Sequence, residues 1–327
     1  FVRRRQRQMC IRDRSGMTSA RALNASGANV ICWDDDPEKR SLASSQGLRV
    51  TGSVSDFDWE SIDRLIISPG VPHHFPLPHP IVSAAVSAGV LIDNDVGLFF
   101  QSIATKSWDK FSVRPRIVAV TGSNGKSTTA SLLHHIFLEL GYKSQLAGNI
   151  GRGVLDIDPP ENNELIVLEL SSYQIEVARI LSPDLAIFTN FSADHLERHG
   201  GIGGYLAAKR RLFTEGCPDY SIIGVDELAG LNLAQQLSAS IGDESIIRVS
   251  ATKQMRRFDW SIFLDAGYLV EHRKGKQINS TDLKVFDNFV GPHSYQNAAS
   301  AYAACRALGM SPRKIVEAMK GFDGLAH

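Results

Sequence analysis

The chain has 327 residues, 35 basic and 35 acidic side chains and a hydrophobic fraction of 43%, which calls for two or three domains with sizeable cores. Setting aside residues 1–14, with six arginines and one aspartate, leaves 29 basic against 34 acidic residues, a balance that argues against a nucleic-acid-binding body. No apolar run approaches the roughly 18 residues that cross a bilayer, and the four scattered cysteines (Cys10, Cys32, Cys217, Cys305) lack zinc-knuckle spacing and suit a reducing compartment, so a cytoplasmic protein is expected.

In chain order, residues 1–14 (FVRRRQRQMCIRDR) have no apolar segment of the kind a secretory signal needs. They read as a disordered arm or as sequence foreign to the fold. Residues 15–23 read as the end of a glycine turn entering a helix that Gly27 closes. Residues 30–33 form a strand that runs into Asp34-Asp35-Asp36. In a dinucleotide-type βαβ unit, an acidic residue at this strand end holds a sugar hydroxyl. The first strand should precede Ser15, where the arginine run stands. The domain is therefore expected to lack that strand, or to recruit residues 8–11 as a poor substitute.

Residues 48–51 and 64–67 read as strands, and Ser68-Pro69-Gly70 as a turn at a strand end where open α/β sheets bind ligands. His73, His74 and His79 lie among prolines with no carboxylate nearby in sequence, which favours a solvated loop over a metal site. A helix at 81–89, a strand at 90–92 and a polar stretch at 102–115 complete a first domain, assigned to 15–112.

The second domain, assigned to 113–325, opens with the most informative stretch. Residues 117–121 are a β-branched apolar run, Gly122-Ser123-Asn124-Gly125 a glycine turn, and Lys126-Ser127-Thr128 the start of a helix. A strand, a glycine turn and a helix N-terminus make an anion cradle. Lys126 adds a charge for phosphate oxygens, and the hydroxyl of Ser127 or Thr128 can ligate Mg²⁺. The spacing is shorter than the general phosphate loop, because Val120 stands where that pattern has its first glycine.

Further strands at 165–170, 185–190 and 221–225 alternate with helical patterns, which predicts a parallel α/β sheet. Glu169 sits inside an apolar strand. A carboxylate there is costly unless paired or bound to a cation, and Mg²⁺ shared with Ser127 is the economical partner. Asp194, His195 and His199 follow the next strand and suit metal or phosphate work. The strand before His195 is expected to adjoin the one carrying Glu169. Residues 246–290 read as a small β insertion, and 297–308 and 312–319 as helices.

Together VTGSNGKST, GNIG, ELSSYQIE, NFSADHLERH, YLAAK and GPHSYQNAASA, in this order, resemble the Mur ligase family of ATP-dependent amide-forming enzymes of peptidoglycan synthesis. GSNGKST with ELSSYQ is most similar to the branch that adds D-glutamate. The resemblance runs from about Ser15 to His327. It implies an N-terminal Rossmann-like domain, a central parallel-sheet ATP-binding domain and a third Rossmann-like domain, absent here. It also implies a monomer acting on UDP-N-acetylmuramoyl-L-alanine and D-glutamate through an acyl phosphate.

By resemblance, Gly122 to Thr128 hold the phosphates of ATP, with Lys126 on the γ-phosphate and Asn297 near adenine. Ser127 and Glu169 hold one Mg²⁺. His195 and Lys209 support a second, Lys209 as a carbamate. Asn149, Ser171 and Ser68 face the sugar peptide, and Asp34 the uridine. Ser294 departs from the family's asparagine. Because the chain stops at FDGLAH, it is expected to bind nucleotide weakly and not to complete ligation alone. A folylpolyglutamate-type ligase and a non-catalytic nucleotide-binding fragment are the alternatives.

Overall fold

The structure, a computed structural model, describes residues 6–10, 14–105, 108–194, 196–284, 286 and 291–324. Two parallel sheets organise it. The first holds β1 (Gln6–Cys10), β2 (Asn29–Trp33), β3 (Ile62–Ile66) and β4 (Leu91–Asp93) in the order β2-β1-β3-β4. Helices α1 (Arg14–Ala25), α2 (Pro37–Ser45), α3 (Pro80–Ser87) and α4 (Asp95–Ile103) connect and follow its strands.

β1 corrects the expectation of a missing first strand. Part of the supposed arm lies at the centre of this sheet, parallel to both β2 and β3. Main-chain groups pair independently of side-chain identity, and the adjacent edges of β2 and β3 need a partner, so a poorly patterned segment can fill the gap. Residues 48–51, read as a strand, supply only a single bridge, from Val50 to Cys32.

The second sheet is built on β5 (Arg116–Thr121), β6 (Ser144–Gly148), β7 (Leu165–Glu169), β8 (Leu185–Phe188), β9 (Tyr220–Gly224), β10 (Ile246–Ser250), β11 (Trp260–Asp265), β12 (Tyr268–Arg273) and β13 (Lys276–Asp282). Their order is β13-β12-β11-β10-β9-β8-β5-β7-β6. The helices are α5 (Lys126–Glu139), α6 (Ser172–Val177), α7 (Ile202–Thr214), α8 (Leu228–Ile241), α9 (Pro292–Ala307) and α10 (Pro312–Met319). The supposed insertion at 246–290 instead continues this sheet. β10 pairs in parallel with β9 and β11, and only β12 and β13 run antiparallel. The reversal after β11 uses Ala266 and Gly267, both at positive φ, the backbone that tight hairpins demand.

Alternation along β5 divides the core. Val118 and Val120 pack with Leu133, Phe137, Ala299 and Tyr302 of α5 and α9. Ile117 and Ala119 face a second layer with Ile175 of α6, Leu212 and Phe213 of α7, and Phe99 and Phe100 of α4. α4 thus ties the first sheet's chain onto the second domain through apolar burial. β5 lies between β7 and β8. Successive connections leave its two sides in opposite directions, so its carboxyl end is a topological switch point, where ligands bind in open α/β sheets.

Candidate active site

The turn Gly122–Gly125 leaves the end of β5. Gly122 has φ +141° and Gly125 φ +75°, conformations that a side chain strains. A Cβ on Gly122 would meet Thr189 Oγ1 at 2.0 Å, and one on Gly125 would meet Asn297 Oδ1 at 2.2 Å. Gly125 caps α5 without a side-chain hydrogen bond, so the first-turn N–H groups have no capping side chain and can meet an anion. Gly125→Ala is expected to weaken nucleoside triphosphate binding about tenfold, the equivalent of roughly 1.4 kcal/mol of backbone strain and displaced Asn297. A titration with ATP reads this, and unchanged affinity would contradict the close-approach account.

The turn is held from outside. Asn124 N–H donates to Asn190 Oδ1 at 2.9 Å, and Thr189 Oγ1 donates to Asn124 O at 2.7 Å. Ser192 N–H donates to Ser123 Oγ at 2.9 Å, and Tyr205 Oη lies 3.2 Å from the same oxygen. Gln296 of α9 reaches Asp226 at 3.0 Å. Thr189, Tyr205, Gln296 and Asp226 were not singled out from sequence. Their only signal was position after strand ends or inside a helix, and partners 65 to 82 residues away leave no local pattern.

Lys126 donates to Ser123 O at 2.7 Å. Burial lowers its pKa, against the pull of Glu169 and Asp194. Ser127 and Thr128 are half-buried in the first turn of α5. Glu169 is 1% exposed at the end of β7, beside Val120. Its Oε1 accepts from Asn149 Nδ2 at 3.1 Å, while its Oε2 is buried without a hydrogen-bond partner. An orphaned carboxylate oxygen beside a phosphate cradle fits a divalent cation, which would repair the desolvation cost. Gly148 brings the backbone of GNIG close, since a Cβ there would lie 2.1 Å from Glu169 O.

Lys209 is 1% exposed. Its Nζ donates to Gly122 O at 2.7 Å and lies 4.5 Å from the Tyr205 ring centroid. Burial, reinforced by the charge of Lys126, brings its pKa down to about 7, against the attraction of Asp194. Lys209 is therefore not a solvated surface cation, although its neighbour Arg210 is exposed. At neutral pH a large fraction is free amine, the form that reacts with electrophiles.

His195 lies outside the described residues. β8, which precedes it, does not adjoin β7 as expected, because β5 stands between them. His199 is also redirected. It is buried against Glu176 and Ser172 on α6, with Nδ1 2.7 Å from Glu176 Oε2 and Nε2 2.9 Å from Ser172 Oγ, rather than open to a phosphate. His73 and His79 do meet carboxylates, Glu176 at 3.5 Å and Asp35 at 3.1 Å, and His79 also caps α3. Folding supplies the acids that local sequence lacked.

Asp34 is 1% exposed at the end of β2. Its Oδ1 accepts from Asp36 N–H at 3.0 Å, and its Oδ2 is buried without a partner, as a site for a sugar hydroxyl would be. Ser171 is first a helix cap, bonded reciprocally with Gln174. Ser68 is buried in the turn after β3. A cavity of about 250 Å³ between the domains is lined by Ser15, Pro69, Gly148, Asn149, Gly151, Gly153 and Gln174. A larger cleft of about 890 Å³ lies at the amino ends of β5 and β9 and contains none of these groups. Asn297 is buried with its Oδ1 unpartnered behind Gly125.

Comparison with known proteins follows the same lines. Residues 120–305 match the family model described as the Mur ligase middle domain. The chain is 55% identical over 314 residues to UDP-N-acetylmuramoylalanine–D-glutamate ligase of Cereibacter sphaeroides, covering 96% of this chain and 68% of that relative. It is 54% identical to the enzyme of the same name from Ruegeria pomeroyi, covering 67% of it. Among solved structures, the UDP-N-acetylmuramate:L-alanyl-gamma-D-glutamyl-meso-diaminopimelate ligase of Neisseria meningitides matches with a TM-score of 0.62 at 16% identity, over 99% of this chain and 100% of that one. A murein peptide ligase of Psychrobacter arcticus matches at 0.58 and 16%, over 98% and 68%. These two structures share the fold. With a middle-domain match across the second sheet and relatives more than half identical along nearly its whole length, the chain belongs to the Mur ligase family.

Proposed function

We propose that this chain carries the nucleotide half of an ATP-dependent ligase that joins D-glutamate to UDP-N-acetylmuramoyl-L-alanine in the cytoplasm. The observation that supports it most is the phosphate cradle at the switch point, with Glu169 orphaned and Lys209 buried beside it. Lys126 and the first turn of α5 bind the phosphates of ATP. The alanyl carboxylate takes the γ-phosphoryl group, ADP leaves, and the D-glutamate amine displaces phosphate from the acyl phosphate to form the amide. Lys126 offsets charge that develops on the transferred group.

Ser127 and Glu169 would hold Mg²⁺ at the cradle, and Lys209, as a carbamate, together with His195, would support a second ion. Such ions supply charge neutralisation at the phosphates. The neutral amine that burial gives Lys209 is the form CO₂ adds to. Asp34, Ser68 and the cavity beside Asn149 take the UDP-sugar peptide.

The test is ADP release with UDP-N-acetylmuramoyl-L-alanine and Mg²⁺, with and without D-glutamate. It is run on this chain and on the chain continued to the length of its relatives. Release that depends on D-glutamate is expected in the longer form. Dependence on another amino acid would move the reaction within the family, and ATP binding without release would favour a binding module.

A further inference from the structure

Glu176 lies outside the phosphate cradle and stands at a junction of three chain segments. It is on α6, and its Oε2 faces two histidines, His199 Nδ1 at 2.7 Å and His73 Nε2 at 3.5 Å. His73 belongs to the loop that follows Ser68 in the first domain. His199 closes the segment that starts at Asn190, which holds the phosphate turn, and passes Asp194, whose charge is felt by both Lys126 and Lys209.

The contact is reinforced around the carboxylate. His199 is fully buried, bonds Ser172 Oγ at 2.9 Å and stacks on Tyr173 at 5.0 Å between ring centroids. Its ring is 5.3 Å from Tyr205, which reaches Ser123 of the phosphate turn. Arg198 donates to Gly70 O at 3.3 Å and lies over the Tyr173 ring. Phe75 packs where a Cβ on Gly200 would stand, 2.7 Å away. Arg211 donates to Ile175 O and to Glu176 O, which fixes the end of α6.

We infer that Glu176 is a positioning residue that couples the first domain's ligand loop to the segment supporting the phosphate turn, so that occupancy of one domain is felt by the other. Of the groups around it, His73, His199, Arg198 and Arg211 are basic, and His74 lies beside His73 at 4.7 Å between ring centroids. Burial would raise the Glu176 pKa, yet the two imidazoles outweigh it and hold it at about 2. The carboxylate is therefore ionised across the working range, and its contribution is lost only as pH falls from about 4.5 towards 2.

The inference about ligand coupling rests on the proposed function; the mechanical link between the domains does not. Glu176→Gln keeps the shape of the side chain and an oxygen that both imidazoles can reach but removes the charge, while Glu176→Asp keeps the charge. His73→Asn removes the first-domain arm alone. The affinity for UDP-N-acetylmuramoyl-L-alanine is measured with and without a non-hydrolysable ATP analogue and Mg²⁺. The parent chain is expected to gain about tenfold from the second ligand, in the range of ordinary site-to-site coupling. In Glu176→Gln and His73→Asn that gain should fall to about twofold or less, with single-ligand affinities nearly unchanged in Glu176→Gln and partial recovery in Glu176→Asp. A folded variant that keeps the parent's coupling would overturn the inference, as would a parent that binds both ligands without coupling.

Calorimetry without ligands decides the link if the parent binds neither ligand, an outcome that sinks the proposed function and not the junction. One unfolding transition is expected for both the parent and His73→Asn, because α4 packs the domains together, and the variant should melt below the parent. An unchanged melting temperature in that variant would refute the junction.

Discussion

Lys209→Met is expected to reduce ADP release on the order of 10³-fold and, at the same time, to raise the melting temperature of the ligand-free protein in bicarbonate-free buffer. The two effects share one cause. Lys209 is almost wholly buried, and its ammonium form is disfavoured by that burial and by Lys126. A pKa of about 7 in place of 10.5 means that the folded chain binds fewer protons than the unfolded chain between those values. Stability therefore rises with pH from about 7 to about 10.5, and the full cost stands below about 7. That cost is about 4–5 kcal/mol. Methionine of similar length escapes it but loses the hydrogen bond to Gly122 O and the contact with the Tyr205 ring, worth about 1 kcal/mol each. The net gain is about 2–3 kcal/mol at neutral pH, and it should vanish near pH 9 and reverse above it. Thermal unfolding across that range checks it. A melting temperature at pH 7 no higher than the parent's would refute the burial argument. Carbon-13-labelled bicarbonate should give a carbamate signal in the parent that Lys209→Met lacks.

Glu169→Gln should abolish the help that Mg²⁺ gives to nucleotide binding and lower ADP release about 10²- to 10³-fold, in keeping with loss of one preorganised electrostatic group. The ligand-free fold should tolerate the change. Glu169 Oε2 has no partner to lose, and a neutral amide costs less to bury than a carboxylate. The decisive readout is the shift in melting temperature when Mg²⁺ and ADP are added, since a ligand that binds only the folded state stabilises it by mass action. The parent should respond to Mg²⁺ beyond ADP alone, and Glu169→Gln should not. An equal Mg²⁺ response in both would remove Glu169 from the cation site.

The site was most legible where its chemistry is local. Strand, glycine turn and helix start lie within residues 117–128, and positive φ at Gly122 and Gly125 is what that turn demands. Glu169 was readable because a carboxylate in an apolar strand has few explanations. Residues 6–10 read mainly as an arm, with a strand recruited from 8–11 only as the alternative, because their place depends on the open edges of β2 and β3 and not on their own pattern. The run at 246–290 was misread because alternation does not distinguish a separate hairpin from the continuation of a large sheet.

By itself the sequence determined the α/β class and the phosphate turn, and it made Ser127 and Glu169 candidate ligands from local pattern, whereas Lys209 entered only through the family resemblance. Tertiary structure alone decided that β5 separates β7 from β8, that Lys209 is buried enough to lose its proton near neutrality, and that His199 and His73 meet at Glu176. Those outcomes depend on what burial removes from water and on which distant groups then become neighbours. Hydrophobic periodicity along the chain fixes which face of an element is buried, and leaves open what that face will meet.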